Sequence, residues 1–297
     1  HLEVLVGEQR LVGLAVVALF TTALFTAFTG ASGVTIIALG GLLYPMLSKQ
    51  GYPEKFTLGM LTTTGSLGLL FPPSLPIILY GLVAKINIDT LFRAALLPGA
   101  LLLAALSVYA LFIARKAGIK ATPFRMAELK KAARGAAWEI PLPFIVIGGI
   151  YLGLFTAGEA ASVMAFYVLI TEVFIYRDLT LFSDIPRVAV KCMLLVGAIF
   201  MMLGTALGFT NYLIDAQIPD KLFAWLHTYV SSKVLFLLLL NVFLLVINMI
   251  EIFSAIIIVV PIIVPVAAQY GIDPAHLGII FLLNLEIGYM LPPLGLN

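Results

Sequence analysis

The sequence predicts an all-α protein that crosses a membrane several times, and three observations lead to this fold class. Of the 297 residues, 62% are hydrophobic and only 11% are charged, whereas a soluble domain carries about 25% charged residues. The mean hydropathy is +1.13, so the polar residues are too few to cover a soluble surface. The sequence also lacks the segments of alternating apolar and polar residues that build membrane β-barrels. We therefore expect a polytopic bundle of helices in a lipid bilayer.

The residue types exclude several function classes. The 17 Lys and Arg residues and the 15 Asp and Glu residues leave a formal net charge of +2, so there is no basic domain that nucleic acid could bind. The single cysteine, Cys192, cannot form an intrachain disulfide, and the three histidines are far apart in sequence, without a metal-ligand spacing. Neither a catalytic triad nor a nucleotide-binding loop is found in the sequence. We therefore predict no enzyme, no resident cofactor and no ATP-driven step on this chain.

The charge-free intervals outline the elements in order, because a helix that crosses the hydrocarbon layer needs about 20 residues. The first interval, from Arg10 to Lys49, contains the small-residue turn TGASG at residues 29–33; two passes or one re-entrant hairpin both fit it. The second, residues 56–84, must break as a helix at its three prolines, Pro72, Pro73 and Pro76. The remaining apolar segments are expected near residues 94–114, 140–156, 160–176, 188–210, 234–250, 255–270 and 275–291.

The connection between residues 115 and 134 sets the orientation of the chain. Seven of the 17 basic residues lie there with a single acid, Glu128: Arg115, Lys116, Lys120, Arg125, Lys130, Lys131 and Arg134. Short connections that are rich in Lys and Arg stay in the cytoplasm, so this loop is expected to be cytoplasmic, near anionic headgroups. Because the chain begins at His1 rather than Met and its last apolar segment stops at Asn297, we expect both ends to be truncated.

An internal repeat relates the two ends of the chain. A shift of 220 residues without gaps superposes five pairs of Gly or Pro: Pro45 and Pro265, Gly51 and Gly271, Gly68 and Gly288, Pro72 and Pro292, Pro73 and Pro293. The same shift carries the turn at 29–33 onto residues 249–253. Each half therefore has a hairpin tip that is followed by a double-proline break, the pattern of inverted repeats in secondary transporters. Unwound backbone at membrane depth offers amides to anions and carbonyls to sodium.

Several segments resemble the large membrane subunit of the tripartite ATP-independent periplasmic (TRAP) transporters, through almost the whole length of the chain. The matching segments are TGASG (29–33), GSLGLLFPPSLPIILYG (65–81), FTAGEAAS (155–162), PIIVP (261–265), GIDPAHLG (271–278) and PPLGLN (292–297). The resemblance implies sodium-driven import of a small organic acid, such as a C4-dicarboxylate, a sialic acid or a related carboxylate. It also implies the inner (cytoplasmic) membrane of a bacterium, a smaller membrane subunit and a periplasmic substrate-binding protein as partners.

The same resemblance implies a division of labour within the chain. Residues 1–90 and 233–297, each with a hairpin and a broken helix, would form a transport domain that moves like an elevator. Residues 91–232 would form the scaffold, including the basic cytoplasmic loop. Carried over by motif, the candidates for the ion and substrate site are Thr29, Gly30, Ser32, Gly33, Gly68, Pro72, Pro73 and Ser74 in the first half, and Asn248, Glu251, Ser254, Glu286, Gly288, Pro292 and Pro293 in the second. Sodium is expected at backbone carbonyls near Ser32, Pro72, Glu251 and Pro292.

The chain departs from the family pattern at two positions of the second half. Leu291 stands before the second Pro-Pro pair where the family usually has Thr, and Glu251 stands where Asp is more usual. Two other acids have different expected roles. Glu159 is expected to complement the dipole of a helix start. Glu286, in an apolar segment without a basic residue, is expected to act in a protein-facing cavity rather than to lie at a helix end in water.

Two other transport functions remain open from sequence. A sodium-coupled symporter of divalent anions, built on a similar hairpin plan but working without a binding protein, is the alternative reading. A passive channel is disfavoured because two pseudo-symmetric broken helices suggest alternating access.

Overall fold

A computed structural model describes residues 13–30, 32–119, 130, 134–247 and 252–290, and in these residues it is helical without a strand. The helices of the first part are α1 (Leu14–Thr29), α2 (Ser32–Lys49), α3 (Glu54–Leu67), α4 (Leu75–Ala84) and α5 (Ile88–Lys116). Those of the second part are α6 (Pro141–Tyr151), α7 (Ala157–Ile170), α8 (Asp184–Asp215), α9 (Ile218–Tyr229), α10 (Lys233–Ile247), α11 (Ile252–Gln269) and α12 (Pro274–Gly288). A π-helical stretch, Thr171–Tyr176, continues α7.

Helices long and apolar enough to span a bilayer are present in the described residues, as the composition predicts. Four satisfy length and hydropathy alone, namely α2, α5, α7 with its π-helical extension, and α8. Up to six spans result if α3 with α4, and α9 with α10, each count as one bent span. Helix α8 contacts α9 and α11, but most of its surface is exposed, including apolar side chains such as Phe200 and Met201. Such a face suits lipid rather than water.

The helix break predicted at the first double proline is confirmed. After Leu67 the chain makes a short 3₁₀ turn, Gly68–Leu70, and then leaves helical geometry until α4 begins at Leu75. The Pro72–Pro73 peptide bond is cis. The axes on the two sides of the break differ by 42°. The prolines have no N–H to donate, so the segment cannot continue as one helix.

Helix bounds in the two halves agree with the repeat. Shifting Ser32–Lys49 by 220 residues gives 252–269, the bounds of α11, and the same shift carries the start of α3 onto the start of α12. The turns between these helices also match. Gly51 and Gly271 both adopt positive φ, 90° and 69°, and Tyr52 and Ile272 donate their N–H groups to Leu47 and Ala267 over 3.2 and 3.0 Å. Positive φ favours a residue without Cβ, which explains why these glycines recur.

The two halves pack against each other through their short helices. Helix α4 lies along α11, and α12 packs on α3, α4 and α5. The Tyr80 ring fills the space beside Gly278 on α12, and its hydroxyl donates to Pro274 O over 3.0 Å. A Cβ on Gly278 would meet that ring at 2.5 Å, so the tight crossing depends on a glycine.

Helices α6 and α7 form an antiparallel pair. Tyr167 and Tyr176, late on the second helix, donate their hydroxyls to Trp138 O and Gly135 O, just before the first helix, over 2.7 and 3.4 Å. At the turn between them, Thr156 and Glu159 form a capping box, which confirms the predicted helix-start role of Glu159. The chain therefore returns by residue 176 to the level of residue 135.

Two expected segments have different bounds in the structure, and one helix was not expected. Helix α6 ends at Tyr151 rather than near residue 156, because Gly153 takes positive φ of 73° and reverses the chain. Helix α8 extends beyond the expected 188–210 at both ends, since polar residues are helical there too. Helix α9 was not expected, because it contains Asp220 and Lys221 and is not an apolar run; it bends by 113° into α10, as an amphipathic helix at the membrane surface would.

Candidate functional site

The first predicted tip is a tight connection between two helices. Thr29 ends α1, Gly30 caps it in left-handed geometry and donates its N–H to Thr26 O over 2.8 Å, and Ser32 begins α2. Ser32 is 3% exposed, whereas Gly33 has open space around it. The N-terminus of α2 and the C-terminus of α1 therefore lie side by side, which brings helix N-terminal amides and helix C-terminal carbonyls together.

The structure brings this tip into contact with the first broken helix. A Cβ built on Gly30 would lie 3.4 Å from Leu75 Cβ, at the start of α4. One built on Gly65 would lie 3.6 Å from Ser32 O, and one on Gly68 would collide with Ala23 O and Thr26 Cβ of α1. The candidates at tip and break predicted for the first half are thus close neighbours, and glycines make the approach possible.

Ser74 joins the break to helix α4. It is the N-cap residue of that helix, fully buried, and its Oγ accepts the N–H of Ile77 at 3.5 Å. Such a long hydrogen bond is weak, so the hydroxyl retains capacity to bind another group. Pro72 is buried beside it and Pro73 is partly exposed. An anion could bind at the N-termini of α2 and α4. A cation could bind at the carbonyls that end α1 and the 3₁₀ turn.

A chain of buried threonines extends from the tip along α1, and sequence reasoning missed it. Thr26 Oγ1 donates to Thr35 Oγ1 over 2.8 Å, and Thr29 and Thr35 are 3.3 Å apart. Further along, Thr22 Oγ1 lies 3.3 Å from Thr64 Oγ1 on α3. The i, i+4 spacing of Thr22 and Thr26, together with the Thr-rich run 62–64, was the available signal.

The second half is described only in part. Asn248, Glu251, Pro292 and Pro293 lie outside the described residues, so the second tip and second break are not compared with their predictions. Ser254 is the third residue of α11 and partly buried. Gly288 ends α12 and is buried. Glu286 is 8% exposed, so it faces the protein as predicted, and its role in a cavity stays a prediction.

Two asparagines bridge the second half in the way that two threonines bridge the first. Asn284 Nδ2 donates to Asn241 Oδ1 over 2.7 Å, which links α12 to α10. Asn284 corresponds to Thr64 under the 220-residue shift, and Thr64 bonds to α1, the counterpart of α10. Helices α3 and α12 are therefore each tied to the first helix of their own half by a polar pair, with Thr64 and Asn284 at matching positions and their partners, Thr22 and Asn241, one position out of register.

A cavity of about 310 Å³ opens beside the first tip. It lies between α1 and the α6–α7 pair, and Thr29 forms part of its wall together with Trp138, Glu139, Tyr167 and Glu172. In the described part of the chain, no group of three or more His, Cys, Asp or Glu side chains could hold a metal ion.

Apolar spans, a broken helix packed against a helix tip, and matching helix bounds at both ends define a multi-pass membrane protein built on a transporter plan. Residues 2–297 match the family model described as "Tripartite ATP-independent periplasmic transporter, DctM component". The chain belongs to this family, whose members are transporter permeases and not enzymes.

Named relatives agree with this assignment. The C4-dicarboxylate TRAP transporter large permease protein of Pseudomonas aeruginosa is 37% identical over 287 residues, covering 96% of this chain and 67% of the relative. The isethionate TRAP transporter permease protein of Oleidesulfovibrio alaskensis is 34% identical, over 96% of this chain and 45% of the relative. The sialic acid TRAP transporter large permease protein of Vibrio cholerae is 34% identical, over 92% and 64% respectively. The chain thus spans about two thirds or less of these relatives.

Proposed function

We propose that this chain is the permease subunit of a sodium-coupled importer of small organic acids in the inner membrane of a bacterium. A periplasmic binding protein would deliver the substrate, and a smaller membrane subunit would complete the complex. Family membership supports the tripartite assembly. The names of the relatives refer to C4-dicarboxylate, isethionate and sialic acid, so the substrate is expected to be a small acid.

One observation carries the proposal, namely the contact between the first tip and the first break. The N-termini of α2 and α4 lie close to the carbonyls that end α1, with Gly30 against Leu75. Helix N-termini attract a carboxylate, and unwound carbonyls suit a hard cation such as sodium. A substrate anion and a sodium ion bound next to each other would also neutralise each other's charge, which supports their joint transport.

The packing supports a movable unit made of both ends of the chain. Helix α4 contacts α11 and α12, and α3 contacts α12, which agrees with treating residues 1–90 and 233–297 as a transport domain. Residues 91–232 then act as the scaffold, with the α6–α7 pair and the lipid-exposed α8. We infer inverted repeats and an elevator-like movement on these grounds.

The test is uptake into lipid vesicles that contain the full-length permease and its small membrane subunit. With the binding protein and labelled substrate outside, an inward sodium gradient should drive accumulation. An equal potassium gradient should not, and omission of the binding protein should abolish uptake. Accumulation with potassium alone would refute sodium coupling, and full uptake without the binding protein would favour the divalent-anion symporter instead.

A further inference from the structure

A groove of about 230 Å³ lies between α3 and α5, away from the candidate tip site. Its walls are mainly apolar, formed by Phe56 and Met60 of α3 and by Leu106 and Tyr109 of α5. Gly59 leaves the α3 wall open, because a Cβ added there would meet nothing within 4 Å. Pockets that enclose a whole ligand measure roughly 300–1,000 Å³. This groove can therefore hold part of an apolar chain rather than a whole ligand.

The two ends of the groove differ in chemistry. Thr63 lies at one end, where its Oγ1 atom is 2.7 Å from Gly59 O and 3.2 Å from Met290 Sδ at the end of α12. These contacts close that end with protein atoms. Lys55, an exposed residue in the first turn of α3, lines the other end. The two residues are eight positions apart, which corresponds to about 12 Å along a helix.

Positive charge lies at the open end. Among the described residues, Lys55 is the one charged side chain in the lining of the groove. The neighbouring acid, Glu54, accepts a hydrogen bond from the Tyr44 hydroxyl over 3.2 Å. Lys116 is exposed and follows Tyr109 by seven residues, which places it two turns further along the same face of α5. Two lysines therefore face an anion that approaches this end.

The open end lies at the level of the basic loop, residues 115–134. Helix α5 runs directly into this loop, because it ends at Lys116. The start of α3 lies beside the last turns of α5, where the rings of Phe56 and Tyr109 are 5.7 Å apart. The loop is expected to be cytoplasmic, and the cytoplasmic leaflet carries anionic lipids. Basic pockets between helices on that side of a membrane bind lipid headgroups.

We propose that the groove between α3 and α5 binds one anionic phospholipid of the cytoplasmic leaflet. The phosphate of the headgroup interacts with Lys55 and Lys116. The first part of one acyl chain lies against Met60 and Leu106 and reaches the closed end at Thr63. The apolar walls favour a lipid over a free phosphate ion, because they stabilise a hydrocarbon chain and offer nothing to a small anion. The proposal involves neither sodium nor substrate, so it does not rest on the proposed function.

The test is a titration of phosphatidylglycerol into the full-length permease in detergent, followed by thermal unfolding. A ligand that binds the folded protein raises the unfolding temperature as its concentration increases, so the titration gives an apparent affinity. Phosphatidylglycerol should raise this temperature more than phosphatidylcholine with the same acyl chains, and inorganic phosphate should leave it unchanged. Equal effects of the two lipids would overturn the proposal. So would an effect of inorganic phosphate equal to that of phosphatidylglycerol.

Two variants and a matched control separate the headgroup contact from the acyl-chain contact. Lys55→Gln should weaken phosphatidylglycerol binding about fivefold, the usual contribution of one lysine near a membrane surface. Gly59→Leu retains the lysines but fills the groove, so it should abolish the extra stabilisation by phosphatidylglycerol. Lys49→Gln removes the same charge from an exposed position at the end of α2 and should behave as wild type. Equal losses in Lys55→Gln and Lys49→Gln would indicate a response to net charge alone and would contradict the assignment, as would wild-type binding by Gly59→Leu.

Discussion

Glycines determine how closely the first tip, at residues 29–33, and the first break, at residues 68–74, approach each other. Gly68 lies against the backbone of α1, where an added Cβ would collide with Ala23 O and Thr26 Cβ and lie 3.0 Å from Ala27 N. Backbone atoms cannot move aside as a flexible side chain can. The identity of this residue therefore controls the geometry of the candidate site.

Gly68→Ala should destabilise the protein by about 1–3 kcal/mol, the usual effect of overpacking a tight contact. The measurement is thermal unfolding in detergent, with sodium-driven uptake as a second readout. Gly59→Ala on α3 is the control: its Cβ would meet nothing within 4 Å, and the higher helix propensity of Ala should be neutral or stabilise by up to about 1 kcal/mol. Equal unfolding temperatures for the two variants would show that the approach of α3 to α1 is not tight.

Ser74→Ala should raise the sodium concentration for half-maximal uptake by about 5- to 150-fold, since a buried hydroxyl that helps to bind an ion contributes about 1–3 kcal/mol. The long 3.5 Å bond to Ile77 N leaves that hydroxyl available. Ser48→Ala, beside Lys49 at the end of α2, should do little. If Ser74→Ala lowered stability but left the sodium requirement unchanged, Ser74 would be an N-cap and nothing more.

Pairs of polar side chains hold the elements of each half together. The pair Thr22–Thr64 joins α1 to α3, and Asn241–Asn284 joins α10 to α12. Without a hydrophobic driving force between helices in lipid, such hydrogen bonds and close packing maintain their alignment. The bonding chemistry differs between the halves, although Thr64 and Asn284 occupy corresponding positions.

Asn284→Leu should destabilise the protein by about 0.6–2 kcal/mol, because it leaves the Asn241 amide without its partner. The double variant Asn241→Leu/Asn284→Leu should be less destabilised than the sum of the two single variants, since no unpaired amide remains. Thermal unfolding of all four proteins gives the coupling energy. Strict additivity would mean that the two amides contribute independently.

At the scale of the whole molecule, sequence patterns predicted the helical membrane class, the family and the break at Pro72 because each rests on local chemistry. Charge-free length, proline and glycine act within a few residues. The threonine chain and the α6–α7 pair were missed, because they depend on which helices become neighbours. Helix α9 was missed because its amphipathic pattern does not resemble a span. The second tip and break stay predictions.

The path of the chain predicts that the turns at Gly51 and Gly271 lie on opposite sides of the membrane. If the 115–134 loop is cytoplasmic, α5 and the bent α3–α4 span are two crossings that separate it from the turn at Gly51. This turn then lies on the cytoplasmic side as well. After that loop, the α6–α7 pair returns to the cytoplasmic level at which it began. Helix α8 then crosses the membrane once and brings α9 to the opposite side. Helix α10 leads away from that side and α11 leads back to it, so Gly271 lies there. The repeats are then inverted.

Cysteine labelling can measure this arrangement in a Cys192→Ser background. A cysteine in place of exposed His276 should react with an impermeant maleimide on intact spheroplasts, whereas one in place of exposed Lys55 should react only after the membrane is permeabilised. Labelling of both positions from the same side would indicate a duplication in parallel orientation and would contradict inversion.

The docking of α4 on α11 has a consequence for how the protein is made. Helix α4 is completed early in synthesis, but the surface that it covers belongs to a helix from which it is separated by the whole middle of the chain. Until α11 has been made, the apolar side chains of α4 must remain in contact with lipid or with the insertion machinery. Long-range contacts of this kind form late. Assembly therefore ends where the two halves close on each other, and ribosomes that stall before residue 252 would release a protein whose first half is threaded through the membrane but not yet packed.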